Sequence, residues 1–186
     1  MSGDPSLEGL REALEPDPRH EAPTGDRLAA VLAPILIEHE NAVVFTRRPE
    51  GMSRHPGQIS FPGGMLHEED ATAADAALRE THEEIGLAPA DVELLGSLPP
   101  VHTVVSGTLV VPFVGLVRGR PLFVPSAAEV AEVFEVPIAR LLDVEVEEGW
   151  ERGDQRFTTY VYEVDGRTIW GATAHMLHDL LEIVRG

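Results

Sequence analysis

Apolar, β-branched runs alternate along the chain with segments in which apolar residues recur at helical spacing. The first two runs, residues 29–37 and 42–46, predict paired strands joined by a short polar connection. The run at 110–117 is almost wholly apolar, which is typical of a central strand buried on both faces. The last two runs flank Asp165-Gly166, a turn dipeptide that predicts a hairpin. The remaining predicted strands are residues 92–98, 130–136, 157–164 and 167–170.

Two longer periodic segments predict substantial helices. The first begins after a capping position, at Asp70 or Thr72, and ends before Gly86, where a left-handed residue is expected. The second, residues 172–184, predicts an amphipathic helix that closes the chain. Shorter helices are predicted at residues 7–14 and 137–142. Strands interrupted by two substantial helices predict an α/β (α+β) fold in which a mixed β-sheet lies between helices.

Length and composition predict a single compact domain. At 186 residues with 43% hydrophobic positions, the chain is long enough for one well-filled core and short for two domains. We expect an amino-terminal arm with a short helix at residues 1–26 and one domain at residues 27–186. Because the chain has no cysteine, any metal must be held by oxygen or imidazole ligands.

The charge balance limits the possible partners. The 14 basic residues, all arginine, are outnumbered by 32 acidic ones, which gives a formal net charge of −18. Such a chain repels nucleic-acid polymers, although divalent ions can still neutralise the phosphates of a small anionic substrate. The sequence has no basic and apolar leader and no apolar run of membrane-spanning length, so we expect a cytoplasmic protein without a membrane partner. The oligomeric state stays open.

One helical segment concentrates carboxylates. Glu80 and Glu84 lie one helical turn apart with Glu83 beside them, and like charges at this spacing cost a helix roughly 0.2–0.5 kcal/mol per pair. The stripe predicted to be buried, which turns these acids away from the core, consists of Ala74, Leu78, Thr81 and Ile85. The density of acids favours a bound cation with carboxylate ligands. The alternative is a solvated acidic face in which Arg79 pairs with Asp75 and Glu83.

Two features precede this helix. The run Phe61-Pro62-Gly63-Gly64 turns tightly and exposes backbone carbonyls, so it can bring one carbonyl oxygen close to the same cation. Basic residues cluster in the loop before the turn, where they can grip a substrate phosphate. The alternative interpretation is that these side chains simply pack over the protein surface. The cluster consists of Arg47, Arg48, Arg54 and His55.

Gly64 followed by Arg79-Glu80-x-x-Glu83-Glu84-x-Gly86-Leu87 resembles the signature box of the Nudix hydrolases, which cleave nucleoside diphosphates linked to another group. The resemblance implies an α/β/α sandwich and an oxygen-ligated Mg²⁺ or Mn²⁺ ion. It implies that Glu80 and Glu84 are metal ligands and that Glu83 is a third ligand or the base that orients a water. The carbonyl of Gly64 is the implied backbone ligand, and Arg79 belongs to the implied catalytic residues. We add Gly63, in the same turn, to the predicted substrate-binding residues.

The box departs from its usual form at one position. The family's common spacing has a glutamate eight residues before the arginine, where this chain has Ala71, and the loop from Gly64 to Arg79 is one residue longer. We expect Glu69 or Asp70 to replace that glutamate as the partner of Arg79.

Two residues outside the box have alternative roles. In some Nudix enzymes a loop glutamate serves as the base, and Glu129 is the candidate by position, with a solvated loop acid as the alternative. Trp170 is expected to be a core residue rather than a surface on which a base stacks.

Residues 45–64 resemble the segment that precedes the box in the coenzyme A diphosphatase branch, in which the longer loop is also usual. Residues 169–174 resemble the closing segment of that branch. This resemblance implies hydrolysis of coenzyme A or its thioesters to 3′,5′-ADP and a 4′-phosphopantetheine product. The alternatives are a broader hydrolase of ADP-ribose or nucleotide sugars and a non-catalytic nucleotide-binding module, which would typically lack one or more of the acids.

Overall fold

The computed structural model describes residues 5–14, 25–37, 40–52, 55–103, 107–152 and 155–186. Within these residues the chain forms an eight-stranded mixed sheet, a three-stranded antiparallel sheet and four α-helices. The helices are α1 (Pro5–Ala13), α2 (Ala73–Ile85), α3 (Ile138–Val144) and α4 (Gly171–Arg185). The strands of the large sheet are β1 (Arg27–Leu36), β2 (Ala42–Arg47), β3 (Ile59–Ser60), β4 (Gly63–Met65), β5 (Val92–Ser97), β6 (Val101–Thr103), β7 (Thr108–Val117) and β8 (Glu132–Pro137). Those of the small sheet are β9 (Glu145–Arg152), β10 (Gln155–Val164) and β11 (Arg167–Ile169).

The large sheet is built around β1 and β7, which pair in parallel along their whole length, from Arg27 opposite Thr108 to Leu36 opposite Val117. Strand β2 pairs antiparallel with β1, and β5 pairs antiparallel with β7. Strands β1 and β7 are the most continuously apolar segments of the chain, as a strand with both faces covered must be. The prediction of a central strand at 110–117 and of a mixed sheet between helices is therefore confirmed.

The two faces of the sheet pack against different helices. Because side chains alternate along a strand, Ala33 and Ile35 of β1 join the cluster around α4, whereas Ala30 and Leu32 join the cluster around α2. Helix α1 adds Leu10 to the α4 side. The short amino-terminal helix is thus confirmed, while residues 15–24 of the predicted arm lie outside the described residues. None of the described helices combines the length and apolarity that crossing a bilayer requires.

Helix α2 has the ends that its sequence predicts. Of the two candidate caps, Thr72 accepts a hydrogen bond from the Asp75 backbone N–H at 3.1 Å. At the other end Gly86 adopts φ 75°, and its N–H donates to the His82 carbonyl. The prediction that all three acids face away from the core is wrong for Glu84. The buried residues of α2 are Ala76, Ala77, Thr81, Glu84 and Ile85.

The small sheet lies beside α4 and contains one strand that the apolar pattern missed. The predicted hairpin forms β10 and β11, and both Asp165 (φ 50°) and Gly166 (φ 74°) have the positive φ that its turn requires. Strand β9 pairs with β10, but four of its eight residues are glutamates, so it contains no apolar run that would predict a strand. Between β11 and α4, Trp170 has 55% of its surface exposed, so the prediction that it is a core residue is wrong.

Candidate active site

The glycine turn and the acidic helix meet directly. Strand β4, which contains the turn, pairs with β1 so that Gly63 lies opposite Val31. The backbone N–H of Gly63 donates a hydrogen bond to the Glu84 carboxylate at 3.1 Å. At Gly64 a Cβ atom would lie only 2.5 Å from the Cδ of Glu80. The structure therefore brings together four residues that the sequence placed in one site: Gly63, Gly64, Glu80 and Glu84.

Glu84 is the most perturbed acid of this cluster. Glu84 is only 7% exposed, and burial raises the pKa of its carboxyl group to about 7. The negative charges of Glu80 and Glu129 raise the pKa further, while the Gly63 N–H bond and the charge of Arg48 lower it. A carboxylate in this position therefore carries a negative charge that the surrounding protein only partly compensates.

Arg79 ties the loop before α2 to the helix. Its guanidinium donates to Asp70 in a two-point contact, from Nε to Oδ1 at 2.9 Å and from Nη2 to Oδ2 at 2.8 Å. It also donates to Glu80 at 2.8 Å and to Glu83 at 3.4 Å, but not to Asp75, which bonds to Thr72 instead. Asp70, and not the exposed Glu69, is thus the partner of Arg79 in place of the usual box glutamate.

The Asp70→Asn substitution should lower the free energy of unfolding by about 1–2 kcal/mol at pH 7, after allowance for solvent screening around Arg79. The reason is that the hydrogen bonds from Arg79 lower the pKa of Asp70 to about 2, from the ordinary value of 3.8. A carboxyl with a lowered pKa stabilises the folded state above the ordinary pKa, and this stabilisation disappears as the pH falls towards 2. Urea unfolding at several pH values measures the difference between the two proteins, which should shrink below pH 4.

The matched control for this prediction is Glu69→Gln, one residue earlier and exposed. Its free energy of unfolding should stay within about 0.5 kcal/mol of the wild-type value. Equal losses in the two variants would mean that the Arg79 contact contributes nothing specific.

The donor atoms at the site suit a hard divalent cation. Among the described residues, no group of three or more histidine or acidic side chains is close enough together, as the side chains stand, to hold a metal ion. Glu80 instead faces Arg79, and the side chain of Glu83 is 54% exposed. The donor set nevertheless consists of oxygen alone, and a cation would relieve the unfavourable charge on Glu84. On these grounds the residues present fit Mg²⁺ or Mn²⁺.

The segment from residue 118 to residue 131 covers the carboxyl end of α2. The backbone N–H of Val124 donates to the Ile85 carbonyl, and that of Ser126 donates to the Glu84 carbonyl, each at 2.8 Å. These bonds satisfy carbonyls that a helix end leaves unpaired. Glu129 follows in a turn closed by its own N–H on the Ser126 carbonyl, and its side chain is exposed. The loop therefore brings the predicted base close enough for its charge to act on Glu84.

The two neighbouring arginines of the basic cluster serve different parts of the structure. Arg48 acts electrostatically on Glu84, and its buried Nε has no hydrogen-bond partner in the described structure. Arg47 instead donates to Glu132 on β8, from Nε to Oε2 at 3.0 Å. His55 lies exposed in a turn, with φ 53°, and Arg54 lies outside the described residues. Of this cluster, the structure thus associates Arg48 with the acids.

A cleft beside Arg47 contains residues for which the sequence predicted no role, among them Glu132 and Arg167. It has a volume of about 470 Å³. Glu132 and Arg167 approach each other here from strands of different sheets, a contact that no local pattern could reveal. The polar and aromatic residues that line the cleft are Arg47, Glu132, Arg167, Thr168 and Trp170.

Comparison with protein families gives one match over most of the chain. The sequence profile of the NUDIX domain matches residues 26–161. A protein of Pectobacterium atrosepticum named uncharacterized Nudix hydrolase NudL is 38% identical over 160 residues, which cover 83% of this chain and 81% of that protein. The protein of the same name from Escherichia coli is 36% identical over 157 residues, with the same coverage of each chain.

Solved structures resemble the fold at lower identity. The MutT protein from Methanosarcina mazei superposes with a TM-score of 0.52 at 18% identity, covering 67% of this chain and 84% of that one. The NUDIX domain of NrtR from Shewanella oneidensis, solved with ADP ribose, superposes with a TM-score of 0.51 at 19% identity, covering 77% of this chain and 88% of that one. At these identities the likeness concerns the fold alone.

Proposed function

Because the chain belongs to the Nudix hydrolase family, we propose that it hydrolyses the diphosphate of coenzyme A or an acyl-coenzyme A, to 3′,5′-ADP and (acyl-)4′-phosphopantetheine. Members of this family act on pyrophosphate bonds, in substrates that consist of a nucleoside diphosphate linked to another group, and generally need a divalent cation. The observation that supports catalysis most directly is the buried Glu84 carboxylate, held by the Gly63 N–H beside Glu80. The choice of coenzyme A is supported by the resemblance of residues 45–64 to the coenzyme A diphosphatase segment.

In the proposed reaction, the oxygen of a water forms a bond to one phosphorus and the bridging P–O bond breaks. Glu80, Glu84 and the carbonyl of Gly64 would hold Mg²⁺ or Mn²⁺. When bound, the cation supplies neutralisation of phosphate charge and polarisation of the water. Glu129 or Glu83 accepts the proton that the water loses, since both are exposed acids beside the cluster. Their separate substitution by Gln assigns the base, because the variant that lacks it loses the acid limb of the pH–rate profile.

Two arginines have distinct proposed roles in this scheme. Arg48 pairs with a substrate phosphate, because its charge lies near the acids and its Nε lacks a partner among the described residues. Arg79 positions Glu80 through their contact at 2.8 Å and stays bound to Asp70. Arg47, His55 and Gly63 are further proposed substrate-binding residues, with Arg54 placed among them on sequence alone.

The substrate assignment predicts a ranking in a panel of nucleotides assayed with Mg²⁺ and with Mn²⁺. We expect kcat/KM for coenzyme A to exceed the values for ADP-ribose and UDP-glucose by at least about tenfold, a difference of about 1.4 kcal/mol in transition-state binding. Release of 3′,5′-ADP, followed by chromatography, identifies the bond that breaks. A higher kcat/KM for ADP-ribose or a nucleotide sugar would support the broader hydrolase instead. The absence of turnover with every panel member would contradict the catalytic role itself.

A further inference from the structure

The cleft beside Arg47 lies across strand β2 from the acid cluster. Phe45 of β2 packs into the cluster around α4, whereas Val44 packs into a separate cluster with Ile85 of α2, so successive side chains of this strand lie on opposite faces of the sheet. Arg47 lies on the same face of β2 as Phe45 and lines the cleft. Arg48 is the next residue, and its positive charge lowers the pKa of Glu84. At about 470 Å³ the cleft has the volume of a small-molecule site. None of the proposed metal ligands lines it.

The cleft carries a net positive charge in a chain whose net charge is −18. Arg47 and Arg167 approach the same carboxylate, Arg47 at one oxygen of Glu132 and Arg167 at the other. Two guanidinium groups therefore share one negative charge. The terminal nitrogens of Arg47 make no hydrogen bond to any described residue, and its side chain is 38% exposed. They are thus available as donors to an anionic ligand.

The arrangement around Glu132 is held in place by aromatic packing and backbone contacts. The guanidinium carbon of Arg167 lies 4.5 Å from the centre of the Phe134 ring. Its Nη1 donates to the Asp165 carbonyl at 3.4 Å, in the turn between β10 and β11. Glu132 lies opposite Arg47 in the pairing of β2 with β8. Because Arg167 and Glu132 are fixed from several sides, Arg47 is oriented before any ligand arrives.

Trp170 adds a planar apolar surface to this cationic cleft. Its surface is 55% exposed, and it is one of two tryptophans in the chain. It lies directly before α4, but its side chain makes no capping hydrogen bond to that helix. An exposed indole beside a positive charge suits a ligand that combines a planar heterocycle with an anionic group. Neutral, flexible chains such as pantetheine offer neither feature.

We propose that this cleft binds the 3′-phosphorylated adenosine end of the substrate, with the 3′-phosphate on Arg47 and the adenine on Trp170. The identity of the substrate rests on the proposed function, but the chemistry of the cleft does not. Arg167 is a positioning residue, since it holds the Glu132 carboxylate against which Arg47 is oriented. The cleft would thereby distinguish a 3′-phosphorylated nucleotide from one that lacks this phosphate.

Isothermal titration calorimetry with adenosine 3′,5′-bisphosphate and with AMP tests the cleft without requiring turnover. We expect the wild-type protein to bind the bisphosphate at least about tenfold more tightly than AMP. Arg47→Gln should remove this preference while leaving the AMP affinity within twofold of wild type. Trp170→Ala should lower the affinity for both ligands about tenfold, because stacking of the adenine on an aromatic side chain contributes to the binding of both.

Arg140→Gln is the matched control, because Arg140 is exposed on α3 and lies outside the cleft. It should bind both ligands as the wild type does, and thermal melting verifies that each variant is folded. Equal wild-type affinities for the two ligands, no binding of either, or the same loss in Arg140→Gln as in Arg47→Gln would overturn the proposal.

The comparison of coenzyme A with 3′-dephospho-coenzyme A separates this inference from the proposed function. If the cleft acts as proposed, Arg47→Gln raises KM for coenzyme A about tenfold and leaves kcat for coenzyme A almost unchanged. The kinetic constants for 3′-dephospho-coenzyme A should also stay almost unchanged. Selective binding of the bisphosphate without hydrolysis of coenzyme A would support the cleft and refute the substrate assignment. Hydrolysis of coenzyme A with a KM unaltered by Arg47→Gln would refute the cleft alone.

Discussion

The Glu84→Gln substitution is expected to lower kcat by at least about 10³ and, at the same time, to stabilise the metal-free protein at pH 8. The loss of activity follows if Glu84 is a metal ligand, because a bound cation contributes several kcal/mol to transition-state stabilisation and each 1.36 kcal/mol is a factor of ten in rate. The gain in stability follows from burial. A neutral amide can still accept the hydrogen bond from the Gly63 N–H but brings no charge into the site.

The sign and size of the stability effect come from the pKa of Glu84. Burial raises this pKa to about 7, whereas the ordinary value of 4.5 applies to the unfolded chain. Between these values the folded protein holds a proton that the unfolded chain has released, so stability falls as the pH rises from 4.5 to 7 and then stays level. At about 1.36 kcal/mol per pKa unit, the loss in the wild-type protein is about 3 kcal/mol. The Glu84→Gln variant should not show this pH-dependent loss of stability.

Chemical unfolding of both proteins in the presence of a chelator, at pH values from 4.5 to 8, measures the effect. Glu83→Gln is the matched control, because the Glu83 side chain is 54% exposed and its removal should change stability by less than about 0.5 kcal/mol. A Glu84→Gln protein that is less stable than wild type at pH 8 would contradict the unfavourable burial of this charge. Full activity in the same variant would exclude Glu84 from the reaction.

The elements that sequence reasoning predicted correctly are those whose cause is local. Helix α2 follows from its alanine-rich composition, its Thr72 cap and the left-handed Gly86. The turn at Asp165-Gly166 follows from the two residues that tolerate positive φ. Strands β1 and β7 follow from apolar runs alone. The association of the acids with the glycine turn was also predictable, because the resemblance to the signature box implies it.

The features that were missed depend on tertiary pairing. On α2 the buried residues include Thr81 and Ile85 of the predicted stripe, and Glu84 is buried as well, where it meets the Gly63 N–H of β4. The acidic strand β9 becomes a strand because it pairs with β10. Glu132 meets Arg47 only through the register of β2 with β8, and Arg167 reaches the pair from the other sheet. A single sequence contains no local signal for such partners.

The two adjacent glycines of the turn should respond differently to substitution by alanine, one by losing stability and the other by losing activity. Gly63→Ala is expected to destabilise the protein by about 3–4 kcal/mol and to lower the melting temperature by about 10 °C. At Gly63 (φ 151°) a Cβ atom would lie 2.4 Å from the Ala30 carbonyl oxygen and 2.5 Å from the Val31 Cα. These are backbone atoms of the central strand β1, so they cannot move aside without breaking its pairing. The conformation itself also disfavours any residue with a side chain.

Gly64→Ala should change stability by less than about 1 kcal/mol yet lower kcat by about 10². The three atoms nearest to its Cβ would belong to the carboxylate of Glu80, the closest at 2.5 Å, and a flexible side chain can turn away at little cost. That movement displaces the carboxylate that the proposed mechanism needs beside Glu84. Thermal melting and kcat, measured for both variants, give four values that test the arrangement. A stable Gly63→Ala protein would contradict the close packing of the turn on β1, and a fully active Gly64→Ala protein would contradict the position of Glu80 in the site.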